Sequence, residues 1–395
     1  MATRAMLWQI SAVMALPSLL FLSHRCMRFE YDLLLVAASP LALDIAYRCA
    51  ALGRIGIVIP PPEGQWQWQW QRWWLSQYPP RRLDAQHWQH FQAHLHYGQR
   101  RYAPRVLELA GVDVIPGAGE FVWQPRCHFR VGGDRLYARG YLLLDAPAAM
   151  DTHDMDALDR IELACWRHWS GQPLEADEQG LPLVATEDAW FNDRLHAVLS
   201  ALGLGVPLKG RRKAPDPTPL NLHPLRRDAQ GWLWINGQGR TSHPQVYACG
   251  GWQRGYRLPS LTYFEAFAIA RQILQRKPRS LDYRSQPWWI ALPVPLARVG
   301  WNARQARRYL REPIQLWEIQ HLTPEGQSLG QVVLNRQGRL LGATLMGQAA
   351  IASSRIFGRC LDQPALAAIT YAGWEVDCQR QRSPNAGRGQ ESPLP

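Results

Sequence analysis

Apolar residues fill Tyr31 to Val36 almost without a break, a run suited to a strand buried on both faces. The chain then turns at Ala37 to Pro40, and "LALDIAYRCAALG" spaces its apolar residues at helical intervals until Gly53. "RIGIVIP" supplies a second strand, so strand, helix and strand follow within about thirty residues and predict the βαβ unit of a parallel sheet.

The pattern then becomes harder to read. "PPPEGQWQWQWQRWWLSQYPP" alternates with period two, yet it has prolines on both sides and no β-branched residue, which argues against a strand. An aromatic helix or loop packed on its own domain fits it. So does a surface that stacks on a base or flavin, or that sits at a membrane interface with Arg72, Arg81, Arg82, Arg100 and Arg101 nearby. "DAQHWQHFQAHLHYGQRRYAPRVLELAG" predicts a helix with Asp84 near its start and an interruption at Gly98.

"GVDVIPGAGEFVWQ" and "HFRVGGDRLYARGYLLLDAP" read as short antiparallel strands joined by turns. Residues 149–217 change character, with Asp-rich loops, a strand-helix unit in "LPLVATEDAWFNDRLHAVLSALGLGV" and a basic linker, "KGRRKAPDPTP". "GWLWINGQGRTSHPQVYACGG" predicts a hairpin and a buried strand, and "SLTYFEAFAIARQILQR" a helix. From Pro287 the order is strand, helix, strand, then two strands around an Asn-Arg-Gln-Gly turn, a last helix and a polar tail.

With 395 residues, 47% apolar and 19% charged, the chain is long enough for two or three globular domains. The net charge of +12 suits an anionic partner, but no RNP, zinc-finger or helix-turn-helix spacing occurs, and nucleic acid is set aside. Seven cysteines are scattered without CxxC or CxxxxC spacing, as expected of incidental thiols in a reducing, cytoplasmic setting. His87, His90 and His94 share a helical face, yet no acidic or Cys ligand accompanies them, and no metal site is expected. Residues 1–26 hold an apolar run, "MLWQISAVMALPSLLFL", that has the shape of a signal h-region. Met27 stands just before the first strand, which favours an upstream extension or misplaced start over an export signal.

Four stretches resemble the pyridine nucleotide-disulfide oxidoreductases, an FAD-dependent family. "YDLLLVAASPLALDIAYRCAALG" is similar to the FAD-binding opening, "GVDVIPGAGEFV" to the segment before the first crossover hairpin, and "RTSHPQVYACGG" to the second FAD motif. "PLARVGWNARQAR" with "GQVVLNRQGRLLGATLMG" resembles the C-terminal interface domain. The resemblance implies an α/β fold: a Rossmann-like FAD-binding domain over 27–148 and 218–280, a reduced NAD(P)-domain remnant at 149–217 and an α+β interface domain at 287–378. The tail, 379–395, is expected to be disordered.

The same resemblance marks a degenerate member. The family's three glycines fall on Ala37, Ser39 and Ala42, where the first allows the turn, the second lets backbone approach the pyrophosphate and the third permits close packing. Alanine is an accepted variant at the third, whereas Ala37 is expected to strain the turn and Ser39 to crowd the phosphates. The acidic ribose ligand falls on Pro60, with Glu63 nearby, and the second motif, at Gly250 and Gly251, has Gly251 where the family has aspartate.

FAD is therefore a weakened expectation, sustained by the helix dipole and free backbone N–H groups. NAD(P) is not expected, because Glu187 and Asp188 stand where glycines belong. No Cys lies between Cys49 and Cys127 and no His follows His321, so the redox disulfide and the His-Glu pair are missing and no catalytic residue is assigned. Two functions follow: a residual flavin redox role without dithiol reduction, or a non-catalytic pseudoenzyme that binds or scaffolds. The interface-domain signature implies a homodimer, a protein partner fits the second reading, and membrane association stays open.

Overall fold

The computed structural model describes residues 28–37, 39–59, 65–77, 85–145, 189–201, 214–254, 258–292, 294–323 and 326–376. The proposed extension, Pro60, Glu63, Glu187, Asp188 and the tail lie outside them.

Strand β1 (Arg28–Ala37) owes its unbroken apolar run to burial on both sides. Leu33 and Leu35 enter one core cluster, Leu34 and Val36 another on the opposite face. Helix α1 (Leu41–Cys49) and a short 3-10 turn return the chain to β2 (Ile55–Ile59), which pairs parallel to β1 with Leu33 opposite Ile55. The predicted βαβ unit is present.

The aromatic stretch is helix α2 (Gln65–Gln77), with Trp70, Trp73 and Trp74 buried. Residues 70, 73 and 74 lie at helical spacing, so burial of one face overrode the period-two pattern. Helix α3 (Ala85–Arg101) follows and runs through Gly98 without interruption. A Cβ at Gly98 would lie 2.5 Å from the Trp74 ring, so this glycine is a packing contact and not a break. Arg72, Trp70, Trp73 and Trp74 are buried and so take no part in the expected basic aromatic surface; Arg100 and Arg101 are exposed, and Arg81 and Arg82 lie outside the described residues.

After α4 (Pro104–Leu109), β3 (Val112–Pro116) pairs parallel to β2, which corrects the antiparallel reading of "GVDVIP". Strands β4 (Gly119–Val122) and β5 (His128–Val131) are antiparallel, and β5 pairs with the first half of β6 (Asp134–Leu144). Strand β6 runs parallel to β1 over its whole length. Its second half pairs with β7 (Val246–Cys249), also parallel, with Tyr141 opposite Val246. Around β7, the expected hairpin is reduced to tight turns and two isolated antiparallel bridges, Arg227 with Leu233 and Arg240 with Tyr247. The sheet order is therefore β3-β2-β1-β6, continued by β5-β4 along one half of β6 and by β7 along the other.

Helix α5 (Ala189–Ala201) is the helix described in the 149–217 segment, of which 214–217 are also described, and α6 (Pro259–Gln275) packs across the parallel sheet. The C-terminal unit is an antiparallel sheet of β8 (Trp288–Ile290), β9 (Leu296–Gly300), β10 (Gln315–Thr323), β11 (Gly326–Leu334), β12 (Leu340–Met346) and β13 (Glu375–Val376), in the order β13-β10-β11-β12-β9-β8. Helix α7 (Ala303–Leu310) packs on this sheet through Ala306 and Leu310, against Ile314, Val333 and Leu341. The single last helix of the prediction is two, α8 (Ala350–Arg359) and α9 (Ala365–Tyr371), divided by Asp362 at φ +64° and by Pro364. Asp362 accepts two hydrogen bonds from Arg284, at 2.9 and 2.6 Å, joining the α8–α9 turn to the segment before β8.

The indole Nε1 of Trp289 donates to the Ser76 carbonyl at 2.9 Å, so α2 is also fastened to this second unit.

Candidate site at the carboxyl edge of the parallel sheet

Strands β1, β6 and β7 end side by side at Ala37, Leu144 and Cys249. In open parallel sheets ligands bind beyond such carboxyl ends, where the strand order reverses. Ala37, Ser39, Ala42, Gly250 and Gly251 all gather here, as the sequence places them.

The first turn does not have the expected strain. Ala37 is the last residue of β1, and among the described residues Ala37, Ser39 and Ala42 all lack positive φ. Pro40, with φ −59° and ψ −20°, already has helical backbone and carries no N–H. The next donors are used internally. The Leu41 N–H donates to Ser39 Oγ at 3.4 Å, that of Ala42 to the Ser39 carbonyl at 3.1 Å, and that of Leu43 to the Pro40 carbonyl at 3.0 Å. A helix start binds phosphate through free N–H groups, and here they are spent.

The second turn spends its donors on carboxylates. Gly250 has φ +60°, and a Cβ there would lie 2.5 Å from Asp145 Oδ1 and 2.7 Å from Thr262 Cγ2, so only glycine fits. Its N–H donates to Glu265 Oε2 at 3.0 Å, and the Gly251 N–H to Asp145 Oδ1 at 2.9 Å. Glu265 also accepts from Gln253 Nε2 at 2.5 Å and the Tyr283 hydroxyl at 2.9 Å. Both carboxylates are buried, and burial raises the Glu265 carboxyl above the usual range despite these donors.

A third buried carboxylate, Asp44, lies in the first turn of α1. It accepts from Arg48 Nε at 2.7 Å and from the Tyr102 hydroxyl at 2.5 Å. Tyr102 packs edge-on to Trp73 at 5.7 Å, and Trp73 to Trp70 and Trp74 at 5.4 Å each, so Tyr102 joins the α2 aromatics to Asp44 of α1. Among the described residues, a cavity of about 20 Å³ lies here, lined by Ser39, Gln69, Arg72, Trp73, Asp145 and Thr262. That is room for about one water molecule. Gln69 Oε1 and Trp73 Nε1 are buried there without a hydrogen-bond partner among the described residues, and one water would serve both.

The described cysteines, Cys49, Cys127, Cys249 and Cys360, are all free. Burial pushes the Cys49 and Cys127 thiols up to about 11 and Cys249 well above its ordinary value, so these three are protonated near neutral pH. No group of three metal-ligating side chains forms among the described residues. His94 instead packs against Trp74 at 5.6 Å, and the His87 side chain lies outside the described set. No described helix is long and apolar enough to cross a membrane. A wider cleft of about 530 Å³ opens at the opposite, amino edge of β1 and β6, lined by Asp32, Arg54, Arg126, Tyr137 and Arg139.

Asp44, Asp145 and Glu265 were not singled out from sequence. Asp145 reads as a strand end and the other two as polar positions on helices; Asp145 and Glu265 are brought together at Gly250 and Gly251 from far apart in the chain.

No family model matches the chain. Among solved structures the chain is similar to the HOCl-induced flavoprotein disulfide reductase RclA from Escherichia coli, with TM-score 0.60 and 15% identity over 84% of this chain and 94% of that one. The Cu(II) complex of the same enzyme gives TM-score 0.58 and 13% identity over 84% and 93%. The likeness is one of fold, and it agrees with the architecture implied by the sequence motifs: a parallel-sheet unit and a separate antiparallel unit, arranged as in a flavoprotein disulfide reductase.

Proposed function

We propose that this chain keeps the fold of a flavoprotein disulfide reductase without its chemistry and acts as a non-catalytic, homodimeric binding or scaffold protein. One observation carries the reading: the N–H groups of Leu41, Ala42 and Leu43 at one turn and of Gly250 and Gly251 at the other are bonded to the chain's own oxygens, two of them on buried carboxylates.

A pyrophosphate brought to this edge would meet the buried carboxylates of Asp145 and Glu265 in a medium that screens charge poorly. Dinucleotide-sized ligands need a pocket of roughly 300 Å³ or more, and the cavity that Trp73 lines beside Ser39 and Asp145 is about 20 Å³. The described residues therefore do not fit FAD. Absence of a CxxxxC pair in the sequence and the raised thiols support loss of dithiol exchange. The homodimer and a protein partner follow from the C-terminal unit, whose Leu366 and Tyr371 leave apolar surface exposed on α9.

A second reading rests on Asp145. It supplies a carboxylate beside Gly251, where the family resemblance expects one, and so favours a residual flavin role. The absorbance spectrum of the native protein, expressed with flavin available, separates the two. A colourless dimer by light scattering is expected. Bands at roughly 370 and 450 nm, those of oxidised flavin, would establish the second reading instead.

A further inference from the structure

An exposed run of arginines lies on α7. Arg304, Arg307 and Arg308 recur at i, i+3 and i+4, the intervals that place side chains on one face of a helix, and Arg311 follows at the helix's C-cap with φ +52°. All four are exposed, and among the described residues none of them forms an ion pair. Like charges at these spacings oppose helix formation. The helix is held instead by its apolar side and by its cap, in which the Gln305 N–H donates to Asn302 Oδ1 at 2.7 Å and the Asn302 N–H to Gln305 Oε1 at 3.2 Å.

Two neighbours extend the ridge. Tyr309 is 62% exposed, its ring stacked on Trp301 at 5.4 Å. Arg336 is exposed in the β11–β12 turn, which follows Leu334, the partner of Gln315 just beyond α7.

We propose that this ridge docks on an anionic phospholipid surface. The sheet behind α7 uses up its apolar side, so the helix meets a partner only through its outer edge, a line of roughly 10 Å at 1.5 Å per residue. A flat anionic surface engages all the guanidiniums of that line at once and places Tyr309 at headgroup depth. A DNA duplex would have to admit the helix into a groove about 12 Å wide, and the β-sheet against which α7 lies keeps it out. A second copy is repelled, because a two-fold contact through α7 would set arginine against arginine.

The test is co-sedimentation of the full native chain with phosphatidylcholine vesicles, with and without phosphatidylserine, at low and high salt. Binding is expected only with phosphatidylserine and is lost at high salt. The Arg307→Glu/Arg308→Glu variant should bind at least about tenfold more weakly, while Arg105→Glu/Arg135→Glu, of the same net charge but on the other unit, stays within about twofold. Equal losses in the two variants would reduce the effect to overall charge and overturn the proposal. Indifference to phosphatidylserine, or ridge-dependent binding of a DNA duplex without vesicle binding, would also overturn it.

Discussion

Two turns stand side by side at the carboxyl edge of the parallel sheet, and they have diverged differently. At the end of β1 the glycines implied by the family pattern are replaced by Ala37, Ser39 and Ala42, and the backbone has relaxed into ordinary strand and helix geometry. At the end of β7, Gly250 still has a conformation that a side chain would strain. The contrast teaches that a glycine in a ligand motif need not be there for a ligand. Gly250 makes room for Asp145 and Thr262, and its N–H is held by Glu265, whereas Ala37 lies in ordinary strand backbone.

The contrast can be broken at several points. The largest effect is expected from Trp73→Ala, which empties the aromatic wall behind both turns; a loss of about 3–5 kcal/mol should appear in urea unfolding. If the wall were merely a lid on a functional crevice, the variant would instead keep its stability and take up flavin. Gly250→Ala comes next, at about 2–4 kcal/mol, from the left-handed backbone and the overlap with Asp145, and the same unfolding measurement checks it.

A smaller effect concerns pH. Because the folded-state Glu265 pKa is raised above its ordinary value of 4.5, its contribution to stability is full below that value and is lost as pH rises through the folded pKa. Unfolding midpoints measured upward from pH 4.5 should fall over that window, and Glu265→Gln should flatten the slope. The smallest change is expected from restoring Ala37→Gly and Ser39→Gly together, at about 1 kcal/mol. The protein should stay colourless, since Asp145 and Glu265 still hold the second turn. Flavin uptake by this variant would show that the first turn alone governs the crevice.

Much of the fold was legible in the sequence because it follows from local pattern. The apolar run of Leu33 to Val36, the stop at Gly53 and the turn at Asn335 each depend on neighbours within a few residues; Asn335 Oδ1 accepts from the N–H groups of Gln337 and Arg339. The site was legible only in part. Its motif positions were found, but not the residues that close it, since Asp145 meets Gly251 across 106 residues and Trp289 meets Ser76 across 213. The α2 segment was legible as an aromatic helix or loop packed on its own domain, because the flanking prolines and the lack of β-branched residues argue against a strand, and the structure makes it a helix with Trp70, Trp73 and Trp74 on the buried face. The direction of β3 was missed because strand polarity in a sheet is set by the crossover connection, which residue pattern does not encode.

The change of partner along β6 has a consequence for the growing chain. Its first half is matched at once by β5, but the edge beyond Tyr141 waits for Val246, about 100 residues later. At roughly 5–20 residues per second of synthesis, that edge stays open on the ribosome for about 5–20 seconds. During that interval an unpaired apolar strand end, Leu142 to Leu144, is offered to chaperones or to neighbouring nascent chains.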